Sequence, residues 1–342
     1  MKTTFLPLIL MSSVLSGTVL AQPSEREAAA QEVAAYVRTV NEAAAIFLDR
    51  RLRNEARLAA IAPHALVFDA KQVEGFKRIL LDAHETPEIR SAALARIVAH
   101  IAGDERVDRQ VGEWLAEPAT PPVLRKQALA AEASTTFATM RIRDVYQKLL
   151  DDPDPDFRVF AFTKLVIHGD PRAQQKLIAG LLEPASAPLP APVAIAILSM
   201  APKKEYYPAL FEVARTTTDA AARLEAVRAL GFYAEARSML VTITRDDRET
   251  PELREAALAA LYAGDRDNIV RYVAPLLVSP TAPERLKAAG IQMTIDVRQA
   301  MSRRATARKD SYDRLIERLS REAADPAVRA VAVQYVQSVR PR

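Results

Sequence analysis

The chain has 342 residues, 49% hydrophobic and 26% charged, and its 47 lysines and arginines against 43 acids leave a formal charge of +4. That composition belongs to a folded globular protein, and only 9 glycines argue against a disordered or turn-rich β chain. No cysteine occurs, which excludes disulfides and thiolate metal sites, and so small a basic excess is a weak argument for nucleic acid.

The first residues read as an address. Lys2 supplies a positive start, Phe5 to Leu20 is mostly apolar, and Val19-Leu20-Ala21 offers a cleavage site before Gln22, so residues 1–21 are expected to be a secretory signal peptide. The apolar run contains Ser12, Ser13, Ser16, Gly17 and Thr18 and falls short of the ~20 residues of a membrane span. A periplasmic or secreted protein, cleaved near Ala21, is the expected product. From Ser24 to Ala62 runs one long alanine-rich helical signal, with Val33, Tyr36, Val37, Val40 and Ala44 at helical spacing, ended by Pro63. With the amphipathic segment Val73 to Leu81 it makes residues 22–82 an amino-terminal helical cap.

From there an eleven-residue pattern recurs every thirty-odd residues: PEIRSAALARI from Pro87, PVLRKQALAAE from Pro122, PDFRVFAFTKL from Pro155, AAARLEAVRAL from Ala220, PELREAALAAL from Pro251 and PAVRAVAVQYV from Pro326. A period of that size predicts stacked two-helix units, an all-α fold of the α-solenoid class, with about eight units over 83–342. Proline suits the first position of a helix because its missing N–H would be unpaired there in any case. Thr86, Thr250 and Asp325 precede it as candidate caps. The small residue six places on, at Ala93, Ala128, Ala161, Ala226, Ala257 and Ala332, lets helices approach closely. Gly103, Gly169 and Gly264, each followed by Asp, mark the turns after first helices, where glycine accepts the left-handed conformation. Second helices are predicted over 106–116, 142–150, 172–182, 205–215, 236–244 and 268–278. Units at Pro188 and Pro283 are degenerate, and 294–312 is read as either a helix extension or a basic loop.

Proline or alanine, arginine three later, alanine six later and an apolar pair beyond resembles the HEAT repeat, in particular the short form named after phycobilin lyases. The resemblance implies a scaffold or adaptor that binds a protein, and a turn-stabilising role for Arg90, Arg125, Arg158, Arg223, Arg254 and Arg329.

The residues that carry chemistry elsewhere are sparse. His64, His84, His100 and His168 are the histidines, and the single His84-Glu85 pair resembles the metal-binding pairs of deoxyhypusine hydroxylase, which uses several; it is read here as a loop. No Gly-x-Ser-x-Gly elbow or glycine-rich phosphate loop occurs, so neither an enzyme nor a bound cofactor or metal is expected. Trp114 reads as core. Tyr146, Tyr206, Tyr207 and Tyr272 fall on second helices, which line the inner curve of HEAT-like arrays, and are the candidates for partner recognition. Two basic clusters stand out, Arg50, Arg51, Arg53 and Arg57, and Arg298, Arg303, Arg304, Arg308 and Lys309. They read as solvated faces beside Asp49, Glu55, Asp310 and Asp313, with Arg303 and Arg304 as the residues that would meet an anionic membrane surface.

The leading expectation is an exported, non-catalytic scaffold that binds a protein on its concave face. Two readings stay open beside it: an accessory or lyase-like HEAT protein, and an electrostatic membrane-surface module.

Overall fold

The computed structural model describes residues 23–62, 67–100, 103–134, 140–301 and 311–338, and among these every regular element is a helix. Residues 1–21, His64, Arg303, Arg304, Arg308 and Lys309 lie outside the described residues. No described helix is long and apolar enough to cross a membrane.

The chain forms two compact units, Met1–Asp152 and Pro153–Arg342. The first contains α1 (Pro23–Leu48), α2 (Asn54–Ile61), α3 (Ala70–Leu81), α4 (Pro87–Ile97), α5 (Glu105–Ala116), α6 (Pro122–Ser134) and α7 (Met140–Leu149). The second contains α8 (Pro155–Ile167), α9 (Pro171–Leu182), α10 (Ala191–Met200), α11 (Tyr207–Thr216), α12 (Ala220–Ala229), α13 (Arg237–Arg245), α14 (Pro251–Gly264), α15 (Ile269–Val278), α16 (Glu284–Met301), α17 (Ser311–Glu322) and α18 (Pro326–Ser338). Helices pack on the next in sequence and on the next but one: α2, α4 and α6 stack in order in the first unit, and α8, α10, α12, α14, α16 and α18 do so in the second.

The repeated alanines explain how the stacks close. Ala93, Ala128, Ala161, Ala226, Ala257 and Ala332, all on first helices, are all fully buried. Larger apolar side chains beside them, such as Leu94, Ile97, Phe162 and Leu258, fill the interior. Asp104, Asp154, Asp170 and Asp219 begin helices by accepting backbone N–H groups that have no intrahelical partner. Thr250 and Asp325 cap as their positions suggest, whereas the Thr86 hydroxyl instead accepts the side-chain N–H of Asn54.

Two sequence expectations are corrected here, and a third that was open is narrowed. The long helix over 24–62 is broken into α1 and α2, because Asp49 turns its carboxylate onto the backbone N–H and guanidinium of Arg51 and stops α1 at Leu48. Gly103 and Gly169 do adopt positive φ, at 81° and 75°, but Gly264 does not. Gly264 is required for approach instead, since a Cβ there would lie 1.6 Å from the carbonyl oxygen of Gly231. Finally, helix α16 runs on to Met301, so at least 294–301 of the ambiguous interval is helical.

Candidate functional site

The recurrent arginines act as latches between helices. Helices α1, α3, α5, α11 and α13 end with backbone carbonyls that have no partner within the helix. A side chain from the following first helix reaches back to each: Arg57 Nε donates to Phe47 O at 2.8 Å, Arg90 Nε to Leu80 O at 2.9 Å, Arg125 Nη2 to Leu115 O at 2.9 Å, Arg223 Nε to Ala214 O at 3.1 Å and Arg254 Nε to Thr244 O at 3.1 Å. A cation at a helix carboxy terminus also meets the negative end of the helix dipole.

The other guanidinium nitrogens reach forward, to the loop that precedes the next first helix. Arg57 pairs at two points with Glu85, Arg125 with Asp152, and Arg223 at two points with Glu249, while Arg254 donates to Thr281 O at 3.4 Å. One side chain thus ties the end of the preceding helix, its own helix and the loop that follows the next helix. Arg158 reaches forward to Pro188 O at 3.1 Å. Arg329 grips Ala323 O, only six residues back, because α17 ends four residues before α18 begins.

Arg57 does not belong to a solvated face, a correction to the expectation for its basic cluster: it is 2% exposed and is a latch of the same kind, upstream of the first recognised unit. The signal was present in NEARLAAI from Asn54, which carries arginine at the fourth position and Ala60 at the seventh without the leading proline. Glu85 is also held by Arg50, which leaves the carboxylate of the His84-Glu85 pair committed to guanidinium groups. Among the described residues no group of three or more His, Cys, Asp or Glu is placed to hold a metal ion.

The tyrosine candidates are corrected as well. Tyr146 is 5% exposed and donates to the buried carboxylate of Glu132 at 2.7 Å, burial being the main cause that raises its phenol above the usual range. Tyr272 is buried and donates to Asp265, whose carboxyl is lowered chiefly by that bond. Tyr206 and Tyr207 are buried too, and Tyr207 stacks on Tyr233 with ring centroids 5.4 Å apart. Tyr146 and Tyr272 fix helices to one another through their hydroxyls, while Tyr206 and Tyr207 are packed inward and reach solvent only as part of the wall of a cleft. Trp114 is buried, with the Arg90 guanidinium 4.8 Å above its ring.

What sequence reasoning missed lies at the ends of the first helices in the second unit. Ile167, Met200 and Phe232 are 51%, 58% and 71% exposed. They close α8, α10 and the turn of 3₁₀ helix after α12, at intervals of 33 and 32 residues. A cleft of about 210 Å³ lies among the ends of α10, α12 and α14 and the start of α11, lined in part by Leu198, Pro202, Tyr207, Leu210 and Phe232, with Arg228 at its wall. Gly231 and Gly264 bring the neighbouring helix ends together beside it. Exposed apolar side chains at the repeat interval were legible as a pattern, but their exposure was not.

A chain that is helical throughout its regular elements among the described residues, with this recurrent motif, fits a HEAT-like family. No protein-family model matches it, and no curated protein does. Among solved structures it is similar to human deoxyhypusine hydroxylase in complex with glycerol, at 14% identity over 90% of this chain and 98% of that one, with a TM-score of 0.29. That protein is an enzyme, so the expectation that this chain is not one is corrected and dropped; the TM-score assigns no activity in its place.

Proposed function

We propose that the chain is an exported α-solenoid of short HEAT-like repeats of the phycobilin-lyase type, which serves as a scaffold for a protein partner. The observation that supports binding is the exposure of Phe232 in the wall of an apolar cleft, with Met200 and Ile167 exposed at the corresponding ends of the two preceding first helices. Exposed large apolar side chains grouped beside a cleft mark interaction sites more often than isolated ones do. The cleft is smaller than the ~300 Å³ at which pockets for drug-sized ligands begin, and suits a single anchoring side chain.

The spacing favours one kind of partner. Packed helices lie ~8–10 Å apart, and a polyproline II chain advances ~9 Å every three residues with those side chains on one face. The partner is therefore an extended segment with an apolar residue at every third position. A labelled Leu-Pro-Pro repeat peptide tests this by fluorescence anisotropy, against a control with leucine at every fourth position. Selective binding that is lost in Phe232→Asp and Met200→Asp, with helicity retained, supports the reading. Equal binding of both peptides, or retention in both variants, sinks it.

A further inference from the structure

Helix α17 carries Arg314, Arg318 and Arg321, all exposed. At 3.6 residues per turn they fall within about 60° of one another around the axis and span roughly 10 Å along it. Between residues 311 and 329 the sequence has four arginines and four acids, Asp313, Glu317, Glu322 and Asp325, so its charges cancel on paper. The fold separates them. Asp313 is turned inward, accepting Tyr335 Oη at 2.6 Å with Arg298 at 3.4 Å. Asp325 accepts the backbone N–H groups of Ala327 and Val328 at 2.8 and 3.0 Å, which starts α18. Glu317 is half-buried, and Arg329 is drawn back onto Ala323 O. Of the acids, Glu322 alone is fully exposed, at the border of the arginine stripe.

We propose that this stripe is a docking site for the phosphate groups of an anionic lipid surface, independent of the apolar row. Exposed guanidinium groups suit phosphate, which they can engage at two points. A lipid surface is favoured over nucleic acid because Tyr312 and Tyr335, the aromatic residues of α17 and α18, are buried and offer no platform for stacking bases. A single convex helix face also suits a flat array of headgroups.

The test is flotation of the full chain with phosphatidylcholine vesicles containing or lacking phosphatidylglycerol. Binding is expected with the anionic vesicles alone and is expected to weaken as salt rises. Arg314→Gln, Arg318→Gln and Arg321→Gln together should lower affinity on the order of a hundredfold, at about a factor of ten or less per charge. The matching lysine variant should retain most of it, which separates lost charge from lost folding. The charge-matched control Arg172→Gln, Arg215→Gln and Arg245→Gln, all at exposed positions, should bind as the parent does. Unchanged binding in the α17 glutamine variant, equal loss in the control, or tighter binding to a duplex oligonucleotide than to anionic vesicles would each overturn the proposal.

Discussion

Arg57 and Glu85 lie 28 residues apart and meet through two contacts, at 2.8 and 3.0 Å, with both side chains almost wholly buried. The arginine simultaneously closes α1 through Phe47 O, so removing it strands both a buried carboxylate and a helix end. Losing one partner of a buried pair commonly costs ~3–5 kcal/mol, and Arg50 beside Glu85 should hold the effect of Arg57→Ala near the lower figure. Denaturant melting measures this. A double-mutant cycle with Glu85→Ala should show coupling of about 1 kcal/mol or more, and additive losses would mean that the latch is no unit.

Gly264→Ala is expected to destabilise the second unit by about 1–3 kcal/mol, because the added carbon would sit on the Gly231 carbonyl and neither backbone can yield without shifting a helix. Gly103→Ala has nothing within 4 Å and should cost only the ~1 kcal/mol of its left-handed conformation. If thermal scans rank the two substitutions the other way, the close approach does not govern packing there.

Tyr146→Ala should unfold part of the first unit and leave no folded variant with merely weakened binding. The ring is buried, and its hydroxyl serves the buried Glu132 carboxylate. Truncating a buried aromatic typically costs ~3–5 kcal/mol. Circular dichroism and melting temperature decide it: parental stability would return Tyr146 to the surface.

Ala161→Leu places a branched side chain at a fully buried position and should cost about 1–3 kcal/mol. Arg172→Gln, at an exposed position on α9, should lie within ~0.5 kcal/mol of the parent. Similar melting of the two variants would contradict the assigned phase of the repeat.

Acid sensitivity should trace partly to Asp104, whose carboxyl is held below its usual value, first by its bond to the Lys77 ammonium and then by the N–H groups of Val107 and Arg106. The folded value lies below the unfolded one, so this stabilisation is complete above pH ~5 and disappears as pH falls through the folded value. Asp104→Asn should lower stability at neutral pH and flatten the acid limb of the stability curve. An unchanged slope below pH ~4 would remove Asp104 from the account.

By itself the sequence determined the period, the helix starts and the small buried positions, since proline, arginine and alanine at fixed offsets have local consequences wherever they recur. Second helices came within two residues of their predicted starts, and Ala93 through Ala332 proved buried without exception among the six. Tertiary structure decided which residues face water. Tyr146 and Arg57 look like surface residues in one dimension and are interior because a partner from another helix, Glu132 or Glu85, meets the polar tip. Phe232 looks like core and is exposed because its turn closes a stack at an edge that no other described helix covers. The outward charge of α17 likewise depends on Tyr335 and the start of α18 capturing carboxylates, since periodicity ranks side chains around one helix and only packing between helices says which of them find partners.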